Sequence, residues 1–293
     1  MTADALAQEQ EPVRHKRAWL RVLGMGLLLY IVGVAILVLT GNTTLFPTVV
    51  MIGNFMVPAA FVAFFYERRH LSTLSLQATA LSFFWGGVLG GFAASLLEPI
   101  FVNQSIPISA FVIAAIEESA KILGVLVIAR RHRHTSELDG IIAGAAAGMG
   151  FAALESTGYA FNAFLASQGS LSTAVGVTLL RGILAPFGHG VWTAILAGVL
   201  FRESRPGRFR LNLRVLGAYL TVVILHGLWD FVPLLLGSLP VPGLDVLIAQ
   251  VAVGVAGLLI LWVRWREATR LQAAERAAAI EGSASSEGPA GGY

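Results

Sequence analysis

Apolar runs of about 20 residues, separated by short polar segments, repeat along the whole chain. An α-helix of this length crosses the hydrocarbon core of a bilayer, and only helices or closed barrels satisfy the backbone there. The pattern predicts eight spans, at 19–40, 46–66, 76–97, 107–129, 140–165, 175–200, 214–237 and 244–265. We therefore expect an all-α fold, a polytopic membrane helix bundle of about eight transmembrane spans.

Positively charged residues flank alternate ends of these spans. They cluster before the first span and after the second, fourth, sixth and eighth, whereas the loops at 41–45, 99–106, 166–173 and 238–244 contain no Lys or Arg. The positive-inside rule then predicts that both termini are cytoplasmic. Because the formal net charge of +3 is explained by residues beside anionic lipid, no nucleic-acid partner is expected.

Composition agrees with a membrane protein, since 56% of the residues are hydrophobic and 13% are charged. We expect a cytoplasmic tail at 1–18, a membrane-embedded bundle at 19–270 with its site in 107–237, and a flexible cytoplasmic tail at 271–293. The Ala-, Gly- and Arg-rich usage is typical of a bacterium of high genomic GC content. The expected location is thus a cell membrane, the bacterial inner membrane, with the lipid bilayer as a partner and no oligomeric state fixed by the sequence.

Three charged residues interrupt the fourth apolar run, namely Glu117, Glu118 and Lys121. Each charge at the centre of a spanning helix costs roughly 2.5 to 3.5 kcal/mol, so the three together cost about 8 to 10 kcal/mol before pairing. Helical spacing puts one ammonium within reach of both carboxylates, which partly offsets that cost. A structural ion pair would explain two of these charges, and a functional site would explain all three.

Among the ionisable residues of the later spans, four could lie at the same depth, namely Glu155, His189, His226 and Asp230. Counting about 1.5 Å per residue from the span ends places them within one or two helical turns of the level of Glu117. A buried carboxylate is a competent base for water, and His and carboxylate ligands with an open position are typical of a catalytic zinc. Cysteine is absent, and neither Ser119 nor Ser156 has a neighbouring histidine, so covalent catalysis is not expected. The sequence predicts hydrolysis.

Three short motifs lie in order on separate spans. Glu-Glu-x-x-Lys at 117–121, Phe-x-x-x-Glu at 151–155 and His-x-x-x-Asp at 226–230 resemble the signature of the PrsW-type intramembrane proteases, and Gly-His at 188–189 is a further similar feature. That family is distantly similar to the type II CAAX prenyl proteases, whose pattern has Arg, His and Asn at the variable positions. This chain has the PrsW-like residues Lys121, Glu155 and Asp230 there.

The resemblance implies a membrane-embedded peptidase, a metallopeptidase or a glutamate-dependent protease, that cuts a membrane-spanning protein. The best-known substrate of the family is an anti-sigma factor that is cut on its outer side. Glu117 and Glu118 would activate water, Lys121 would hold this pair, and His226 with Asp230 would bind metal or stabilise the oxyanion. The expected zinc ligands are taken from Glu155, His189, His226 and Asp230.

Two other functions fit the same charges. A proton- or cation-coupled transporter would use them as a relay, although transporters usually show paired half-structures and only the second half of this chain carries them. A silent scaffold would use the acidic cluster to bind a partner's span. Individual residues also have simpler interpretations: His189 could bond a carbonyl freed by Pro186, Arg181 could contact lipid phosphate, and Glu98 could be solvated at a membrane edge.

Overall fold

A computed structural model describes residues 17–103, 105–129, 136–205, 208–236 and 244–286. Within these ranges the chain forms nine α-helices and three short 3-10 turns, and no strand. The helices are α1 Ala18–Thr40, α2 Phe46–Glu67, α3 Leu76–Phe101, α4 Ala110–Ala129, α5 Glu137–Ala166, α6 Leu171–Leu184, α7 His189–Glu203, α8 Leu213–Leu236 and α9 Leu244–Ser286. The fold is therefore the predicted all-α bundle.

The number of membrane crossings agrees with the predicted count of about eight. Seven helical stretches in the described ranges are long and apolar enough to cross a membrane, and α6 and α7 together form one of them. The remaining crossing is α4, which has 20 residues and carries the three charges of the fourth run. Of the basic residues used to predict the orientation, those at 14, 16, 130, 131 and 133 lie outside the described residues.

The sixth crossing is broken at its middle. Helix α6 ends at Leu184, a 3-10 turn occupies Ala185–Phe187, and α7 begins at His189. Pro186 has no backbone N–H to donate and disfavours a continuous helix, which explains the break. With about 1.5 Å per residue, neither half spans the roughly 30 Å hydrocarbon core alone. The break therefore places His189 at a helix start inside the bundle.

Helix α5 is the central helix of the bundle, as its stripe of small residues predicts. A Cβ atom at Gly140 or at Gly144 would lie 2.4 Å from a backbone oxygen of α7. One at Gly148 would lie 2.1 Å from the backbone oxygen of His189. Only glycine permits such a close approach. The stripe thus fixes the distance between α5 and α7, and with it the position of His189.

The opposite face of α5 packs on the first part of α3. A Cβ atom at Gly86 would lie 2.4 Å from Ala147, and one at Gly150 would lie 1.9 Å from the carbonyl oxygen of Phe83. Helix α4 joins the same contact, because a Cβ atom at Gly124 would meet the Gly86 backbone at 2.9 Å. Three helices that carry candidate residues or line the space beside them are thereby held together by glycines.

Ion pairs tie together the helix ends on the predicted cytoplasmic side. The buried Glu137, at the start of α5, binds Arg264 of α9 at 2.5 Å and lies 3.4 Å from Arg202 of α7. Glu267 binds both arginines, at 2.9 and 3.3 Å. Asp139 accepts hydrogen bonds from the backbone N–H and the hydroxyl of Thr73. These contacts join the ends of α5, α7 and α9 and the segment before α3.

Helix α9 continues beyond the predicted membrane boundary. It extends to Ser286, into the segment from residue 271 that the sequence predicts to be a flexible tail. The segment that continues the helix is rich in Ala, Glu, Gln and Arg, which are strong helix formers. Residues 1–16 and 287–293, which complete the two predicted tails, lie outside the described residues.

Candidate active site and metal centre

Lys121 is the centre of a buried charge network on α4. Its Nζ atom donates to Glu117 Oε2 at 3.0 Å and to Glu118 Oε1 at 2.8 Å, and the lysine side chain is fully buried. Helical spacing of three and four residues brings both carboxylates to the same ammonium. Thr193 of α7 donates to the second oxygen of Glu118 at 2.9 Å. Both carboxylates are thus held in fixed positions.

His189 links the α4 network to α5. Lys121 Nζ lies 2.8 Å from His189 Nδ1, and His189 Nε2 lies 3.1 Å from Glu155 Oε2. A charged lysine only donates, so Nδ1 accepts and the ring proton of neutral His189 is on Nε2, where Glu155 accepts it. Both ring nitrogens are used by side chains. The alternative in which His189 bonds a carbonyl freed by Pro186 is therefore not the arrangement observed.

His226 of α8 completes the cluster. Its Nδ1 atom lies 3.2 Å from Glu118 Oε1, and its Nε2 atom lies 3.6 Å from Glu117 Oε2 and 3.3 Å from Asp230 Oδ2. The ring stacks on Trp192 with 4.5 Å between centroids. The helix reaches this position because the next residue is a glycine, at which a Cβ atom would meet the Phe111 ring at 2.3 Å.

All seven predicted site residues therefore meet in one place, although they come from four helices: Glu117, Glu118, Lys121, Glu155, His189, His226 and Asp230. The depths counted from the span ends anticipated this convergence.

A cavity of about 720 Å³ opens beside the cluster. Its wall includes Glu117, Glu155, His189 and Asp230, whereas Glu118, Lys121 and His226 do not line it. Among the described residues, the cluster thus has side chains on the cavity wall and side chains buried behind that wall.

Comparison with known protein families decides the class. Residues 75–263, more than half of the chain, match the PrsW family of intramembrane metalloproteases. The chain belongs to that family. No curated protein and no solved structure gave a match in the same comparisons.

Membership in the PrsW family makes the chain a membrane-embedded peptidase and a multi-pass membrane protein. The transporter and scaffold interpretations are therefore replaced. The matched region contains all the charged residues of the cluster, and Glu117, Glu155, His189 and Asp230 line its cavity.

A metal ion, which the PrsW family name implies, fits a group of three side chains. One ligand atom each from Glu117, His189 and His226 lies within 4.8 Å of the other two. Two histidines and a glutamate are a known catalytic zinc set. Glu155 and Asp230, which the sequence predicts among the ligands, contact His189 and His226 respectively.

The charge balance of the cluster also favours a bound cation. Among the described residues, the cluster together with Glu98 and Arg181 contains five carboxylates and two basic side chains besides its two histidines, namely Glu98, Glu117, Glu118, Glu155, Asp230, Lys121 and Arg181. Uncompensated charge in a low-dielectric interior is costly, and a divalent ion would reduce the negative excess. Lys121 contacts Glu117 and His189 from the same group, so it and the ion would share ligands.

Sequence reasoning missed Arg181. Its guanidinium forms an ion pair with Glu155, donates to Ser156 Oγ at 2.8 Å and lies over the Tyr159 ring. It therefore belongs to the site rather than to lipid phosphate. A count of depth along α6 could have found it, because Arg181 lies two turns before His189 in the same crossing.

Glu98 also lines the cavity and is half-buried, so it is not only a solvated residue at a membrane edge. The two serines considered as nucleophiles have other partners. Ser119 bonds the Ala115 carbonyl and the Tyr219 hydroxyl, and Ser156 accepts from Arg181. No histidine contacts either hydroxyl among the described residues, as expected for a peptidase that does not form an acyl-enzyme.

Proposed function

We propose that this PrsW family protein is a zinc peptidase that cuts a single-span membrane protein in or near its span. The observation that carries the proposal is the position of Glu117, whose carboxylate lies 3.6 and 3.8 Å from nitrogens of His226 and His189 and lines the cavity. Glu117, the candidate base, thus lies beside His189 and His226, the candidate zinc ligands, and at a cavity with space for a peptide. An anti-sigma factor is the substrate class that the family resemblance favours.

His189 and His226 would hold the zinc ion, and Glu117 is close enough to be the third ligand or the base. When bound, zinc polarises a carbonyl group and makes water more acidic. We infer that Glu117 takes the proton from the attacking water, because it is the carboxylate that reaches both histidines and the cavity. The hydroxyl forms the new bond to the carbonyl carbon, and the proton goes to the leaving amide nitrogen as the C–N bond breaks.

The remaining residues would position this group. Lys121 holds Glu117 and Glu118 at fixed distances, and the bond from Thr193 holds the far side of Glu118. Glu155 and Asp230 would orient the two histidine rings, a function that carboxylates commonly have beside zinc ligands. Glu118 is fully buried and outside the cavity wall, so we assign it to support rather than to substrate contact.

The side of the membrane follows from topology. With both termini cytoplasmic, as the positive-inside rule predicts, α3 and α5 run from the inner to the outer face. The cavity is lined by their later residues, from position 87 on α3 and 151 on α5. The proposed cut therefore lies at mid-depth or in the outer half of the bilayer.

Zinc content and cleavage, measured together on the same purified variants, test the proposal. The protein is reconstituted with a panel of single-span reporter proteins tagged at both ends. We expect one zinc in the wild type, and at least ~100-fold weaker binding in His226→Ala, since even indirect partners of a ligand change affinity 10- to 100-fold. Glu117→Gln should retain zinc and lose ~10²- to 10⁴-fold in rate.

The control is Glu275→Gln, an exposed carboxylate on α9 away from the cavity. It should match the wild type in both measurements. Loss of zinc from Glu117→Gln would make Glu117 a ligand and pass the base role to Glu155. Zinc-free wild type with Glu117-dependent cleavage would point to a glutamate-driven hydrolase, and undiminished cleavage in both variants would reject the site.

A further inference from the structure

The contact between α3 and α5 changes along their length. In its first part, a Cβ atom at Gly86 would lie 2.4 Å from Ala147, and one at Gly90 would lie 2.4 Å from the Phe151 ring. At Gly87 the nearest side-chain atom is Leu154 Cδ1, at 3.1 Å. Over this part, the two helices leave no room for a side chain.

One turn further the contact ends. Gly91 follows Gly87 by four residues and Gly158 follows Leu154 by four, so both continue the contacting faces of their helices. A Cβ atom at either glycine would have no heavy atom within 4 Å. The two helices therefore diverge between these positions. We call the space between 91–98 of α3 and 158–162 of α5 the α3–α5 cleft.

The α3–α5 cleft leads to the proposed catalytic group. Gly91, Ser95, Glu98 and Gly158 line the same 720 Å³ cavity as Glu117 and His189. The cleft and the cavity beside Glu117 are therefore one continuous space. Gly91 and Gly158 place no side chain between them.

The flanks of the cleft are apolar and exposed. Phe92, Leu96 and Ile100 of α3 are 66 to 71% exposed, and Tyr159 and Phe161 of α5 are 52 and 48% exposed. In a spanning helix such residues contact lipid tails. The cleft therefore connects lipid to a polar cavity within the membrane.

From this geometry we propose that the α3–α5 cleft is the lateral path by which a membrane-spanning substrate reaches Glu117 from the bilayer. The proposal rests on the proposed function and adds the route by which the substrate enters. The substrate would be an apolar single span with small or unwound residues near the cut. Segments with small residues near the cut fit best, because Gly91, Ala94 and Ser95 of α3 leave space on the cavity wall beside the bulkier Phe92.

Filling the cleft tests the route. In Gly91→Leu and Gly158→Leu the new Cβ atom meets no heavy atom within 4 Å, so the leucine begins in open space. Gly217→Leu on α8 is the matched control, because that glycine is exposed, also has no heavy atom within 4 Å and does not line the cavity. In the reporter panel, both cleft variants should lose at least ~10-fold in cleavage, as expected when access geometry is disturbed. The control should keep wild-type activity.

A binding readout separates this route from the chemistry. The inactive Glu117→Gln protein is placed in vesicles of phosphatidylethanolamine and phosphatidylglycerol with a Leu/Ala peptide of about 20 residues, the length of one span. The peptide carries Lys at both ends and a benzophenone in its outer third. We expect cross-links at 91–98 and 158–162, and fewer after Gly91→Leu.

Each outcome bears on one of the two claims. Cross-links in the cleft without any cleavage by the wild type support the route and reject the peptidase proposal for these substrates. Glu117-dependent cleavage that Gly91→Leu and Gly158→Leu leave unchanged overturns the route and keeps the proposed function. Cross-links confined to α1 or α9 overturn the route as well. Equal losses in Gly217→Leu would assign the effect to membrane packing and also overturn it.

Discussion

Replacing Gly148 by alanine tests whether the position of His189 limits the activity of this PrsW family protein. The new Cβ atom would lie 2.1 Å from the His189 carbonyl oxygen and 2.6 Å from its carbonyl carbon. Because a close-packed interior does not tolerate such contacts, α7 must move away from α5 by roughly 1 Å. His189 begins α7 and moves with it.

The expected magnitude follows from that displacement. A shift of about 1 Å in a catalytic group costs ~10²-fold in rate. Overpacking of a core costs about 1 to 3 kcal/mol, which leaves a bundle of this size folded. We therefore expect Gly148→Ala to lose ~10²-fold in kcat/KM on a reporter and to bind zinc more weakly, with a small decrease in melting temperature.

The assay compares kcat/KM, zinc affinity and melting temperature with those of Gly217→Ala, where a Cβ atom meets nothing within 4 Å. The control should behave as the wild type in all three. Wild-type activity and zinc affinity in Gly148→Ala would refute the reasoning, because they would mean that α7 accommodates the methyl group without moving His189. A large loss of melting temperature with normal zinc affinity would also contradict it.

Three further perturbations have defined outcomes. Arg181→Met should weaken zinc binding and lower kcat more than it raises KM, since Glu155 loses its ion pair and orients His189 poorly, whereas Arg181→Lys should restore part of both. Equal zinc affinities in the two variants would contradict this role. Lys121→Met should lower the melting temperature of the zinc-free protein, because breaking a buried ion pair costs about 3 to 5 kcal/mol. Zinc should then stabilise this variant more than the wild type, and a smaller zinc-induced shift would show that the lysine and the ion do not compete. A chelator should abolish reporter cleavage and zinc should restore it, and full activity in the chelator would argue against a metallopeptidase.

The site could be predicted in part because depth in a membrane is readable from sequence. Each span starts at a recognisable boundary and rises by a fixed distance per residue, so Glu117, Glu155 and His226 could be placed at a common level. The spacing of Gly140, Gly144 and Gly148 likewise marks the face of α5 that another helix approaches closely, since small residues recur there every fourth position.

Partner choice within the cluster could not be predicted in the same way. Helix rotation and tilt decide that Glu155 faces Arg181 and His189 while Glu117 faces both histidines. Those angles depend on packing across the whole bundle. The divergence of α3 and α5 after Gly91 has the same origin, because the glycine pattern on α3 continues where the contact does not.

The ion pairs around Glu137 have a consequence for the two leaflets. They bind the ends of α5, α7 and α9 on the predicted cytoplasmic side to one another, whereas the cleft separates the other ends of α3 and α5. A change of bilayer thickness must then be absorbed mainly by the helix ends on the cleft side, at a cost of fractions of a kcal/mol per Å. The width of the cleft, and the turnover of any substrate that uses it, should therefore follow the acyl-chain length of the leaflet on the cleft side more closely than that of the other leaflet.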